Sequence, residues 1–248
     1  MSSTEAPKPF PMDISRFEAN TNDGFSAKIR NIQRFQEFAG ADVKSQPLYL
    51  MVSGTSESGK SYMGTRFVND NIANRLKIYK VLAQLIGNDT VVLPGNVKPN
   101  PFDGASIIGA MSSEDQTKIM DSIINRFADI THGFRPISVV ETIKHPWMIE
   151  RIRERTDLQS LAVFIDAPFD KRVERESLKT GKSVEETKTK VELKDSTKTS
   201  YGNLAIREMA DLEIWNGGDI SSYNNYIQNI ENALVPVKNP AIKVVEYS

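Results

Sequence analysis

Pro47-Leu-Tyr-Leu-Met-Val-Ser53 runs directly into Gly54-Thr-Ser-Glu-Ser-Gly59-Lys60-Ser61. The first half is an unbroken apolar run, which suits a parallel strand buried on both faces. The second half fits G-x-x-x-x-G-K-[ST] with no mismatch. Each part of that pattern has a physical task. The glycines allow backbone conformations closed to other residues and let the chain approach phosphate closely. Amides of the loop and of the following helix start point at anionic oxygens. Lys60 would reach the β- and γ-phosphates of ATP, and the Ser61 hydroxyl would ligate Mg2+. Gly54, Ser56, Glu57, Ser58, Gly59, Lys60, Ser61 and Tyr62 are therefore expected to hold the nucleotide, with Lys60 catalytic. A Gly/Ser-rich turn can match the pattern by chance. The strand before it, the helix after it and the alternating pattern downstream argue against chance.

Outward from the loop, apolar spacing sets the expected elements. Upstream, Ile29, Ile32, Phe35, Phe38 and Ala39 recur at helical spacing, with Ser26 as N-cap and Gly40 as stop, which predicts a helix over 26–39. Before it, Pro7, Pro9 and Pro11 interrupt a polar stretch without an apolar h-region. That stretch reads as a disordered lead-in and not as a secretory signal. Residues 1–45 are thus expected to form an extension, and 46–248 the nucleotide domain. Downstream, helices are expected from the loop to about residue 73 and over 75–86, 112–130, 146–155, 169–180 and 221–234. Ser183-Val-Glu-Glu186 is a capping box that opens one more. Strands are expected at 137–140, 161–165, 211–215 and 242–247, and a short one at 90–93 within a Gly/Pro/Asn-rich loop. Alternating strands and helices predict an α/β fold of three layers, αβα, with a mostly parallel sheet.

The bulk numbers narrow the classes. The chain has 248 residues, 39% hydrophobic and 25% charged, which suits one globular α/β unit with a sizeable core. The net charge of −1 offers no global basic field, so duplex nucleic acid is not the favoured partner. The absence of cysteine removes disulfides, thiolate zinc sites and cysteine nucleophiles, and is compatible with the cytoplasm, which is the expected location. No apolar run approaches the length of a membrane span. His132 and His145 lack metal-ligand spacing, and no G-x-S-x-G elbow appears.

Further segments carry a resemblance. Val139-Val-Glu-Thr-Ile-Lys-His-Pro-Trp-Met-Ile-Glu150 resembles the strand and loop of the dephospho-CoA kinase and deoxynucleoside monophosphate kinase-like group. There an acidic residue ends the strand, and a basic residue, a polar residue and proline open the next helix. The matching positions are Glu141, Lys144, His145 and Pro146, with Glu where Asp is usual and Lys where Arg is common. Phe164-Ile-Asp-Ala-Pro-Phe-Asp-Lys-Arg-Val-Glu-Arg175 resembles the strand, D-A-P turn and R-x-x-R helix start of dephospho-CoA kinases. Met209-Ala-Asp-Leu-Glu-Ile-Trp-Asn-Gly-Gly218 resembles the late strand and Asn-Gly loop that lies beside the adenine base.

The resemblance implies a P-loop kinase fold with a helical lid over about 171–201, in which Lys179, Lys182, Lys188, Lys190, Lys194 and Lys198 fall. It implies that Glu141 and Asp166 are catalytic, orienting the nucleophile or the metal, and that Glu141 and Lys144 bind the acceptor. Arg172 and Arg175 would clamp phosphates, Arg172 catalytically, since a guanidinium fork matches phosphate oxygens. Asn216, with Trp215, would contact the base.

Bland readings stand beside these. Glu141 and Lys144 could pair with each other, the arginines could pair with Asp170, Glu174 and Glu176 on a solvated face, and Trp215 could be core. The resulting expectation is an ATP- and Mg2+-dependent phosphotransferase for a small nucleotide-like acceptor. A deoxynucleoside monophosphate is the first choice and dephospho-CoA the second. A hydroxyl on a polynucleotide is a third reading, which would need a local basic groove. A regulatory nucleotide-binding protein is the rival class, although the N-K-x-D signature usual in GTPase switches is absent.

Overall fold

In the computed structural model of the chain, residues 14–39, 46–87, 108–132, 136–234 and 244–247 are described. A 3-10 turn at Ile14–Phe17 precedes strands β1 (Ala19–Asn20) and β2 (Phe25–Ile29) and helix α1 (Ile32–Ala39). Strand β3 (Leu48–Gly54) enters the phosphate loop, and helix α2 (Lys60–Asn69) leaves it. Then follow β4 (Asn74–Lys77), α3 (Ile78–Gly87), α4 (Ser113–Thr131), β5 (Ile137–Glu141), α5 (Pro146–Arg153) and β6 (Gln159–Asp166). Helices α6 (Phe169–Thr180), α7 (Val184–Ser200) and α8 (Asn203–Met209) lead to β7 (Leu212–Asn216), α9 (Ile220–Leu234) and β8 (Glu246–Tyr247).

The described strands form one eight-stranded sheet in the order β1-β2-β7-β6-β3-β5-β4-β8. All neighbours from β7 to β8 pair in parallel. β2 meets β7 antiparallel, and β1 meets β2 antiparallel. β3 is buried along its whole length, as its apolar run requires. Leu48, Leu50 and Val52 pack with Met63 and Phe67 of α2 and Tyr223 and Ile227 of α9. Tyr49 and Met51 point the other way, to Val81 and Leu82 of α3, Phe127 of α4 and Ile149 of α5. The alternation of side chains along one strand thus produces the three αβα layers. β3 lies between β5 and β6, and the chain leaves it toward β4 on one side and later crosses to β6 on the other. Ligands of open α/β sheets bind beyond the strand ends at such a reversal, which is where the phosphate loop sits.

Two expected helices begin later than their spacing suggested. Phe25, Ala27 and Ile29 are buried with the period of a strand, and this segment joins the sheet. The helix starts only at Ile32, after Asn31, whose side-chain oxygen accepts the Arg34 amide at 3.0 Å. Likewise Asn74–Lys77 is a strand, paired with β5, and the helix follows at Ile78. In both places sheet pairing outweighs an apolar spacing that by itself reads as helical. The expected α4 start holds, with Ser112 accepting the Asp115 amide, and so does the Ser183 capping box. The short strand expected at 90–93 lies outside the described residues, as does the first part of the one expected at 242–247. No helix among the described residues is long and apolar enough to cross a membrane.

Candidate active site at the phosphate loop

The loop is shaped by its two glycines. Gly54 has φ 138°, and a Cβ there would lie 1.9 Å from the Ile165 carbonyl oxygen. Gly59 has φ 109° and sits at the N-cap of α2 without a side-chain cap, so the first amides of the helix keep their capacity for an anion. Neighbouring elements hold the loop from outside. The Asn216 amide donates to Ser58 O at 2.9 Å, and the Tyr223 hydroxyl to Gly59 O at 3.1 Å. The Thr55 hydroxyl donates to Asp166 at 2.7 Å, and the Ser58 hydroxyl to Thr55 O at 3.0 Å. Tyr62 turns outward, donating to Asn224 Oδ1 at 2.7 Å.

The Lys60 ammonium folds back onto the loop, donating to Thr55 O and to Ser58 Oγ at 3.3 Å. Burial pushes its pKa down to about 8, against the opposing pull of Glu57. Ser61 Oγ lies 3.5 Å from Glu141 Oε2. Glu141 ends β5 and is buried, and it pairs with Arg75 rather than Lys144. Arg75 Nε lies 2.8 Å from Glu141 Oε1 and Nη2 3.2 Å from Oε2. Arg75 also reaches Thr65 Oγ1 at 2.8 Å and Glu246 at 2.6 Å. Lys144 is placed elsewhere, its ammonium 4.5 Å from the Tyr79 ring centroid, where burial lowers its pKa. Next to it His145 is buried, with its ring stacked 6.0 Å from Trp147.

Helices α6 and α7 cover the loop. Gly181, at φ 69°, turns the chain between them. Arg172 is buried and donates to Ala167 O at 3.0 Å, to Ser56 O at 3.4 Å and to the Asp195 carboxylate. Arg175 reaches Glu57 O at 3.5 Å and Asn216 O at 3.0 Å. Both arginines therefore face the loop, while Lys171 and Glu174 form the solvent-side pair. Lys194 bridges Glu57 at 3.1 Å and Glu176 at 3.0 Å, and Lys198 donates to Gly54 O at 2.9 Å. Glu176 is buried; the nearby Lys190 and Lys194 outweigh its desolvation and hold its pKa near about 2. Burial and the adjacent Lys60 charge push the Lys198 pKa well down.

Lys60, Ser61, Glu141, Asp166, Arg172, Arg175 and Asn216 thus converge on one loop. Asn216 is buried, with its amide on the loop backbone, and the neighbouring Trp215 is 37% exposed. Sequence reasoning missed Arg75, Asp195 and the contact of Lys198 with Gly54 O. Arg75 stands between Asn74 and Lys77, so its sequence neighbours gave no signal for it. Nothing in the charged 171–201 stretch singles out Asp195 or Lys198 before folding. Ser61 and Glu141 together offer the oxygen ligands that Mg2+ prefers. No group of three or more His, Cys, Asp or Glu placed to hold a metal ion occurs among the described residues. A magnesium ion held mainly by substrate phosphates and water needs no such cluster.

No protein-family model matches the chain, and no curated protein matches its sequence. Among solved structures, a Thermus thermophilus protein aligns at 16% identity and TM-score 0.48, over 78% of this chain and 100% of that one. Shikimate kinase from Acinetobacter baumannii, in complex with shikimate, aligns at 12% identity and TM-score 0.43, over 79% of this chain and 99% of that one. A gluconokinase from Sinorhizobium meliloti 1021 aligns at 16% identity and TM-score 0.34, over 81% of each chain.

Proposed function

We propose that the chain is an ATP-dependent phosphotransferase for a small nucleotide-like acceptor, a deoxynucleoside monophosphate first and dephospho-CoA second. One observation carries this reading. An uncapped helix start and a half-buried Lys60 lie beneath a cover that brings Arg172 and Lys198 onto the same loop. Donors and cations on both sides of one loop suit the charge of a phosphoryl group in transfer. In this reading, an acceptor oxygen forms a bond to the terminal phosphorus while the bond to the bridging oxygen breaks, ADP leaves and the acceptor proton is lost. Lys60 and Arg172 stabilise the transferred group. Ser61, with Glu141 3.5 Å away, would hold Mg2+, which when bound would supply charge neutralisation of the phosphates. Asp166 positions the loop through Thr55. Lys144, whose ammonium rests over the Tyr79 ring, would meet the acceptor's own phosphate. The covering helices exclude water, which would otherwise compete as acceptor.

The test is ATP consumption with Mg2+ and a panel of nucleoside monophosphates and dephospho-CoA. A kinase consumes ATP in step with one acceptor. Slow, acceptor-independent hydrolysis, or none, would overturn the proposal. Lys60→Ala should lower turnover by about 100-fold or more with an unchanged melting profile. Near-normal turnover in that variant would show that the phosphate site is elsewhere.

A further inference from the structure

Asp195 belongs to α7, not to the loop, yet its carboxylate lies in the phosphate cradle. Oδ1 accepts the Ser56 amide at 3.2 Å, and Oδ2 takes the Arg172 guanidinium. Arg172 also donates to the Ser56 carbonyl at 3.4 Å, so one guanidinium grips both partners of that contact. A loop amide and a guanidinium thus converge on a carboxylate, and these are donors that a phosphate would use.

The position along the loop matters. Inner phosphates rest on amides near the helix start, and the P-loop lysine reaches toward the β- and γ-phosphates. Ser56 lies toward the strand end of the loop, next to Thr55, on which the Lys60 ammonium rests. The carboxylate therefore sits where the last phosphate of a triphosphate would end.

We propose that Asp195 stands in for the terminal phosphate, and so determines how the loop discriminates a nucleoside triphosphate from a diphosphate. This rests on the nucleotide reading above. A triphosphate must evict the carboxylate and inherit Arg172, whereas a diphosphate leaves the pair in place. Eviction couples the terminal phosphate to the position of α7, and by linkage the coupling works in both directions. After transfer, return of the carboxylate would restore the ADP-compatible arrangement.

The experiment is calorimetric titration of the full chain and of Asp195→Asn with ADP and with AMPPNP, a triphosphate that is not transferred. The neutral amide can still accept from Ser56 but leaves Arg172 without its counter-charge. Asp195→Asn is expected to tighten AMPPNP by about five- to tenfold and to change ADP by less than about twofold. Asp195→Glu, which keeps the charge, should stay near the wild-type ratio. An equal change for both nucleotides, no change, or weaker AMPPNP binding would overturn the proposal. If Asp195→Asn melts early, the unaltered protein supplies the readout through the carboxyl carbon resonance of Asp195. It should move with AMPPNP and stay with ADP; movement with both, or with neither, overturns the proposal. Failure of the wild-type chain to bind either nucleotide is a separate result, and it overturns the reading of the loop itself.

Discussion

Lys60 carries its charge into an enclosed site, where burial pushes its pKa from 10.5 to about 8. The unfolded chain therefore holds an extra proton between those values. This residue's contribution to stability is full above the higher value and is lost as pH falls through the lower one. A bound phosphate reverses the balance by favouring the ammonium form. ATP binding should then take up protons near pH 8.5 and take up far fewer near about pH 7. Calorimetry in two buffers of different ionisation enthalpy measures this directly. Uptake that did not grow with pH would show that no phosphate reaches Lys60. At this scale much was legible in the sequence, because Lys60 and Ser61 belong to a contiguous motif whose geometry is local. Arg75 was not legible, because its ion pair with Glu141 spans two strands that become neighbours only in the sheet.

Helix α2 packs against that ion pair through a glycine. A Cβ at Gly64 would lie 2.2 Å from Glu141 Oε1 and 2.9 Å from Arg75 Nε. Both groups are buried and paired, so neither can step aside cheaply. Gly64→Ala is expected to cost roughly 1–3 kcal/mol of stability through overpacking. It should also lower phosphoryl transfer by about 100-fold, since displacing Glu141 disturbs its spacing from Ser61. Urea unfolding and acceptor-dependent ATP consumption check the two effects, and an active, fully stable Gly64→Ala would remove Glu141 from the site. The elements themselves were read well where caps or unbroken apolar runs marked them, as at Ser112, Ser183 and β3. They were read poorly where a short strand abuts a helix, at 25–39 and 74–87. There the apolar residues of the strand blend into the helical spacing, and only pairing with β7 and β5 separates the two.

Across the whole molecule, the two faces of the sheet have unequal relations to the loop. The face covered by α1, α2 and α9 supplies Tyr223, whose hydroxyl holds Gly59 O at 3.1 Å. β2 also borders the strand that holds the loop, since Phe25 lies opposite Asn216 in the register. The Phe25 ring is buried, 6.2 Å from Tyr223 and 5.3 Å from Tyr226. On the other face Phe127 is equally buried, 6.2 Å from Tyr49 in the middle of the sheet. Phe25→Ala and Phe127→Ala should each cost about 3–5 kcal/mol, because each empties a packed core position. Their effects on the nucleotide should differ. Loss of Phe25 loosens Tyr223 and the β7 end together, and nucleotide affinity should fall about tenfold at a temperature where the variant is still folded. Loss of Phe127 should leave affinity within about twofold, since its ring packs on Tyr49 in the middle of the sheet. Paired unfolding and nucleotide titrations of both variants separate local support from global stability. Equal affinity losses would mean that the loop depends on the stability of the whole sheet, and the N-terminal strand would then have no particular part in the site.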